Sequence, residues 1–293
     1  MAQMQSSATE HALENSLAIV VHTRQAFAEL GQNQARPVAY LPLPFAAPPS
    51  KQARFREPNK SGIADQLIRL AMFGYIGRNR RLDAILTALQ GMSERERFRL
   101  DVFGEILDNE KGIKKKIRDL GLQDLVTLHG FVSEEKLDDA LSRADLAINL
   151  RHPTMGEASG SQLRIWSHAL PSLVTEVGWY ASLPAATVAH IRADENEVAE
   201  IRTTLRAFLA NPARFVAMGE AGRKLLATEH SPEVYADGLI EFVGEVKRSR
   251  AGAALFGLAG RAGATLNGMY GGLPTETTLK AVAEEIRMLS DCR

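Results

Sequence analysis

Cysteine is almost absent from this chain: its 293 residues include one, Cys292, beside the C-terminus. That excludes a disulfide framework, a thiolate metal site and a buried cysteine nucleophile within the chain, and makes a reducing, cytoplasmic setting the expected one. Neither sign of charge dominates. Thirty-five Lys and Arg stand against 35 Asp and Glu, with an isoelectric point near 7.1, so there is no electrostatic footprint for nucleic acid or an anionic surface. Uninterrupted apolar runs are short of the roughly 20 residues that span a membrane. The opening Met1-Ala2-Gln3-Met4-Gln5-Ser6-Ser7 lacks the basic and apolar parts of a signal peptide. Asp-x-Asp, His-Glu-x-x-His, Walker and Gly-x-Gly-x-x-Gly patterns are also missing, which leaves metal-dependent and dehydrogenase chemistry without support. His129, His152 and His168 stand singly, and a lone histidine is more often structural than catalytic.

What remains is the composition of a soluble globular protein, 45% hydrophobic and 24% charged, long enough for one large or two ordinary domains. Residues 1 to 66 contain a helix candidate at Glu10–Asn15, a strand at Ala18–Val21, a helix at Arg24–Leu30, a short strand around Pro37–Leu41 and a proline-rich linker from Pro42 to Pro58. From Gln66 to Ile191 strands alternate with helices. Strands are expected at Ile68–Phe73, Phe98–Phe103, Leu125–Leu128, Asp145–Leu150, Pro171–Thr175 and Thr187–His190. Helices are expected at Asn79–Gln90, Glu110–Leu120, Ser133–Leu141 and Ser159–His168. Such alternation specifies an α/β fold, a parallel sheet covered by helices on both faces. Helices Glu195–Ala210, Pro212–Glu229 and Pro232–Val246 follow, two of them opened by a cap residue and a proline at the first helical position. Beyond Lys247 the sequence loosens before a final helix, Thr275–Leu289. The expected division is residues 1–58, 59–246 and 247–293.

The most informative stretch is Arg151 to Gln162, which joins an apolar strand to a new helix through a glycine-bracketed turn carrying one carboxylate. The first N–H groups of that helix, on Gly160, Ser161 and Gln162, are expected to be free and to point into the crevice at the carboxyl end of the sheet, where phosphates bind. Glu157 stands just ahead of them as an acceptor for hydroxyls. Its plain alternative is a carboxylate favoured by the helix macrodipole, although Gly156 and Gly160 permit a closer backbone approach than such a cap needs.

Several further pieces occur in a fixed order. They are Phe73-Gly74-Tyr75-Ile76-Gly77 with Asn79-Arg80-Arg81-Leu82, Val102-Phe103-Gly104, Leu128-His129-Gly130-Phe131-Val132-Ser133, Pro153-Thr154-Met155-Gly156-Glu157, Leu170-Pro171-Ser172-Leu173-Val174 and Val177-Gly178-Trp179. With them, residues 68 to 246 resemble the C-terminal, donor-binding domain of GT-B glycosyltransferases of retaining family 4 (glycosyl transferases group 1). The resemblance implies a Rossmann-like, doubly wound domain that takes a nucleotide diphosphate sugar. It implies transfer of a hexose with retention to a glycan or lipid-linked acceptor, as in polysaccharide assembly, with no obligatory metal and no cofactor. In the family, a lysine and often an arginine on the loop after the first strand meet the diphosphate; Arg80 stands at the lysine position and Tyr75 at the arginine's. Arg78 and Arg81 are rivals for that role, and the alternative for all three is a solvated helix start. Gly74, Tyr75, Arg78, Gly160, Ser161 and Gln162 are the expected diphosphate contacts.

Glu157 matches the first glutamate of the family's glutamate pair, while Ile165 replaces the second, which commonly grips the ribose. Gly130, Phe131 and Val132 fall at the turn that meets the nucleobase, Phe131 being otherwise a core residue. A whole enzyme of this kind needs an acceptor domain of at least about 100 residues, and residues 1 to 66 resemble only its tail, an incomplete α/β remnant. Three readings stay open: a fragment of a longer protein, a chain completed by a partner or by self-association, and a non-catalytic nucleotide-sugar binding module.

Overall fold

The computed structural model describes residues 16–31, 36–46, 67–107, 109–247 and 275–291, together with 262, 265 and 268. The expected helix at Glu10–Asn15 and most of the expected linker lie outside these residues. The structure divides into two compact units, Met1–Pro42 with Tyr235–Arg293, and Leu43–Val234.

In the first unit β1 (Ile19–Val21), α1 (Arg24–Gly31) and β2 (Val38–Tyr40) form a βαβ unit, with the strands parallel in the register Ile19 to Val38 and Val21 to Tyr40. Thr23 opens α1 by accepting a hydrogen bond from the Ala26 N–H at 3.1 Å. The Arg24 guanidinium lies over the Tyr40 ring, 4.8 Å from its centre. A helix over 232–247 and α10 (Glu276–Asp291) follow late in the chain; numbered in order, the former is α9.

The larger unit contains a six-stranded, all-parallel sheet in the order β5-β4-β3-β6-β7-β8. Its strands are β3 (Ile68–Phe73), β4 (Phe98–Phe103), β5 (Val126–Gly130), β6 (Leu146–Asn149), β7 (Ser172–Thr175) and β8 (Ala189–Ile191). Its helices are α2 (Leu82–Gln90), α3 (Glu110–Asp119), α4 (Glu134–Arg143), α5 (Gly160–Ser167), α6 (Gly178–Ala181), α7 (Glu197–Ala210) and α8 (Pro212–Glu229). This is the doubly wound arrangement expected from the sequence. The strand order reverses between β3 and β6, and the loops leaving those two strands border the crevice such a reversal creates.

Burial explains the order. β3 reads Ile-Arg-Leu-Ala-Met-Phe and is apolar on both faces because helices cover both. Leu70 and Met72 meet α2 and α7 on one face, while Ala71 and Phe73 meet α4 and α5 on the other. A third cluster forms where Trp166 of α5, Trp179 and Tyr180 of α6 and Leu226 of α8 close over Val174. α8 begins at Pro212 because the Asn211 side chain accepts from the Arg214 N–H at 3.2 Å and proline needs no donor there.

One helix starts later than its sequence suggests. Arg78–Arg80 forms a 3-10 turn and Arg81 takes a left-handed conformation, φ 59°, so α2 opens at Leu82 rather than at Asn79. A side chain in that region is strained. Arg81 is held there by a two-pronged ion pair with the buried carboxylate of Glu197, 2.5 Å at its shortest.

His230 sits against Trp166 and Trp179, with ring centres 6.1 and 6.4 Å away, and its Nδ1 donates to the Leu43 carbonyl at 2.8 Å. Burial pushes its pKa below the ordinary 6.5 despite that bond and nearby Glu229. The unfolded chain therefore takes up the proton first as pH falls, so the stability of the neutral, buried ring is complete above 6.5 and is lost below it. Between pH 7 and 5 the urea midpoint is expected to fall more steeply for the native chain than for His230→Gln; parallel profiles would show that the ring does not titrate with unfolding.

Candidate functional site

The carboxyl ends of β3 and β6 carry a chain of buried polar side chains. Arg80 is 2% exposed; its Nη1 donates to Asn149 Oδ1 at 3.0 Å and its Nη2 to the Phe73 carbonyl at 2.8 Å. Asn149, the last residue of β6, passes the chain on through Nδ2 to Gln162 Oε1 at 2.9 Å, and Gln162 Nε2 donates to Ser172 Oγ at 2.8 Å. Four elements are thus tied together below the crevice: the loop after β3, β6, α5 and β7. Desolvation by burial lowers the Arg80 pKa to about 10, with the Tyr180 hydroxyl opposing and the Arg151 charge adding to the shift. Even so, Arg80 is charged at neutral pH.

Above this chain lies the turn from Arg151 to Ser159. The Arg151 N–H donates to Thr175 Oγ1 at 2.8 Å, and its guanidinium pairs with Glu157. The second Glu157 oxygen accepts from Thr154 Oγ1 at 3.1 Å and from the Met155 N–H at 3.0 Å. Partial burial pulls the Glu157 pKa upward, but backbone hydrogen bonding, Arg151 and Thr154 outweigh it and hold the carboxyl below its usual range. Glu157 is therefore an ionised, oriented acceptor that stays partly open to solvent. Gly156, at φ 85°, lies under Gly178, where a Cβ would come within 3.1 Å of the Gly156 Cα. That contact seats the turn on the start of α6.

The first turn of α5 differs in part from what its sequence implies. Ser159 is the cap, and its Oγ accepts from the Gln162 N–H at 3.2 Å, so that donor is not free for a ligand, contrary to expectation. The N–H groups of Gly160 and Ser161 donate to nothing among the described residues. Beyond its chain neighbours and the helix's own backbone, no atom lies within 4 Å of where a Gly160 Cβ would stand, and Gly160 is exposed. Gln162 itself is wholly buried and faces Asn149 and Ser172 rather than the crevice.

The remaining expected residues divide. Tyr75 and Arg78 are exposed on the loop after β3, Tyr75 by 71%, and Gly74 turns that loop with φ 107°. Phe131 is not a core residue: it is 83% exposed beyond β5, next to Gly130 at φ 66° and half-buried Val132. Arg81, the other rival for the diphosphate, is committed to Glu197. Ile165 is buried with Ala71, Phe73 and Leu137 on the sheet face, so its position looks into hydrocarbon. Arg80 lies inside the protein, where an approaching phosphate has no direct access to it.

Sequence reasoning passed over Arg151 and Tyr180. Four side-chain atoms are buried without a hydrogen-bond partner close to these loops: Arg80 Nε, Arg151 Nε, His152 Nδ1 and Tyr180 Oη. Tyr180 Oη is near enough to Arg80 to act on its charge. Arg151 could have been noticed as the residue two beyond Asn149 at the end of a central strand; nothing in the sequence marks Tyr180. Among the described residues no group of three or more His, Cys, Asp or Glu could hold a metal ion, and no helix is long and apolar enough to cross a membrane.

Comparison with known proteins agrees with this architecture. A mannosylfructose-phosphate synthase of Agrobacterium fabrum (strain C58 / ATCC 33970) is 28% identical over 111 residues, covering 35% of this chain and 24% of that one. The sucrose-phosphate synthase of Thermosynechococcus elongatus superposes with a TM-score of 0.65 at 18% identity, over 85% of this chain and 64% of that one. The Anabaena Alr3699/HepE protein, in complex with UDP and glucose, does so with a TM-score of 0.63 at 14% identity, over 81% of this chain and 66% of that one. The chain thus spans a quarter of the curated relative and about two thirds of these structural neighbours. Residues 53–225, more than half of its length, match the glycosyl transferases group 1, and the chain belongs to that family.

Proposed function

We propose that this chain binds a nucleotide diphosphate sugar and transfers its hexose, with retention of configuration, to a glycan or lipid-linked acceptor. It needs no obligatory metal and no cofactor. The observation that carries the reading is the open first turn of α5, with the Gly160 and Ser161 N–H groups unclaimed beside the oriented, ionised Glu157. Breaking a sugar–phosphate bond builds negative charge on the departing diphosphate, and fixed N–H donors at a helix start stabilise that charge without reorganising. Glu157 takes the sugar hydroxyls, and the exposed turn Gly130–Val132 takes the base.

The exposed Tyr75 at the position of the family's arginine and the hydrocarbon setting of Ile165 favour a second reading, a non-catalytic binding module that works with a partner chain or a second copy. Calorimetry with UDP-glucose and GDP-mannose tests what both share. Binding is expected to one of them, and Glu157→Ala is expected to weaken it by about tenfold or more, the effect of losing hydrogen bonds to a charged group. No heat from either ligand contradicts both readings. Donor turnover on adding acceptor sugars then selects the enzyme.

A further inference from the structure

The family position for a diphosphate-binding cation is held here by Arg80, yet Arg80 is sealed inside, with two of its nitrogens on Asn149 and Phe73. The Arg151 guanidinium is near enough to act on its charge. Asn149 ends β6 and Arg151 follows two residues later, in the loop that leaves the strand. Arg151 is pinned at its backbone by Thr175 and at its guanidinium by Glu157, the turn that leads into α5. Resting on the donor-binding reading above, we propose that Arg151 is the cation that meets the donor's diphosphate, and that Arg80 is a positioning residue which holds β6 and α5 beneath it through Asn149 and Gln162.

Three observations support this division. Arg151 keeps 23% of its side chain open to solvent, enough to reach a ligand, whereas Arg80 is closed. Arg80 and Arg151 repel one another, and among their hydrogen-bond partners Glu157 is the one carboxylate. Two guanidinium charges against one carboxylate leave an excess positive charge at the crevice floor, which a diphosphate would neutralise. Arg151 Nε is buried with no hydrogen-bond partner, while the Tyr180 hydroxyl acts on Arg80. Because Glu157 accepts from Arg151, a diphosphate drawn to Arg151 is sensed by the carboxylate that reads the sugar, which couples the two halves of the donor.

The test is calorimetric, with UDP against uridine and GDP against guanosine, at several salt concentrations. For Arg151→Gln the proposal expects at least a tenfold loss for the diphosphate, a nucleoside affinity within twofold of the native chain, and a flattened salt dependence of diphosphate binding. Arg80→Lys and Arg80→Met should weaken the diphosphate alike and keep the native salt dependence. Neither reproduces the two-pronged hold on Asn149 and Phe73, and neither touches phosphate. An unchanged diphosphate affinity in folded Arg151→Gln overturns the assignment, as does rescue of Arg80→Met by lysine at that position. Should the Arg80 variants fail to fold, the Arg151 comparison decides alone. A native chain that binds neither diphosphate removes the donor-binding reading itself, a result distinct from any of these.

Discussion

Replacing Gly104 by alanine is expected to destabilise the larger unit by about 4 kcal/mol. Gly104 follows β4 with φ 122°, and a Cβ built there would stand 1.9 Å from the carbonyl oxygen of Gly74. Two costs combine: a backbone conformation that side chains avoid, about 1 to 3 kcal/mol, and overpacking, typically another 1 to 3. The neighbour is backbone rather than a flexible side chain, so relief requires moving the loop that carries Tyr75 and Arg78. Gly160→Ala is the internal control, since that site is open and lies at the start of a helix. Urea denaturation followed by circular dichroism should show a large fall in midpoint for the first variant and almost none for the second. Equal midpoints would mean that the Gly74–Gly104 contact does not hold the crevice wall.

Trp166→Ala is expected to cost a similar amount, about 4 kcal/mol, within the usual range for removing a buried aromatic. Trp166 is fully buried on α5, and its Nε1 donates to the Thr187 carbonyl at 3.2 Å. α8 is shaped to receive it: a Cβ at Gly222 would reach 2.2 Å from Trp166 Cδ1, and one at Gly219 would reach 2.0 Å from the Ala169 carbonyl. Truncation leaves both a cavity and an unpaired carbonyl. Because Trp166 fixes the helix whose first turn carries the open N–H groups, donor affinity should fall along with stability. Trp166→Phe separates the two losses, keeping most of the packing while removing the hydrogen bond. If thermal unfolding of Trp166→Ala matches the native chain, α5 is held in some other way.

The fold was legible because its signals are local. β3, β4 and α8 begin and end where hydrophobic runs, caps and proline place them. β5 and β8 lie one or two residues later than expected, since edge strands are bounded by pairing that the sequence does not display. The helix α6, four residues long, is too short for a periodic pattern to reveal. The site was less legible, for a different reason. The charge of Arg80 is visible in the sequence, but its burial depends on Asn149, 69 positions away, and its direction on the left-handed turn at Arg81. Gln162 is placed by the same long-range chain. Glu157 reads well from the sequence because the residues that orient it, Arg151, Thr154 and Met155, are its neighbours.

A crystal structure of the chain soaked with UDP tests the donor pocket directly. The account predicts a diphosphate seated within hydrogen-bonding distance of the Gly160 and Ser161 N–H groups, with the Arg151 guanidinium turned onto it and the base at Gly130–Val132. A nucleotide whose diphosphate lies away from those N–H groups and from Arg151, and whose base lies away from Gly130–Val132, would contradict it.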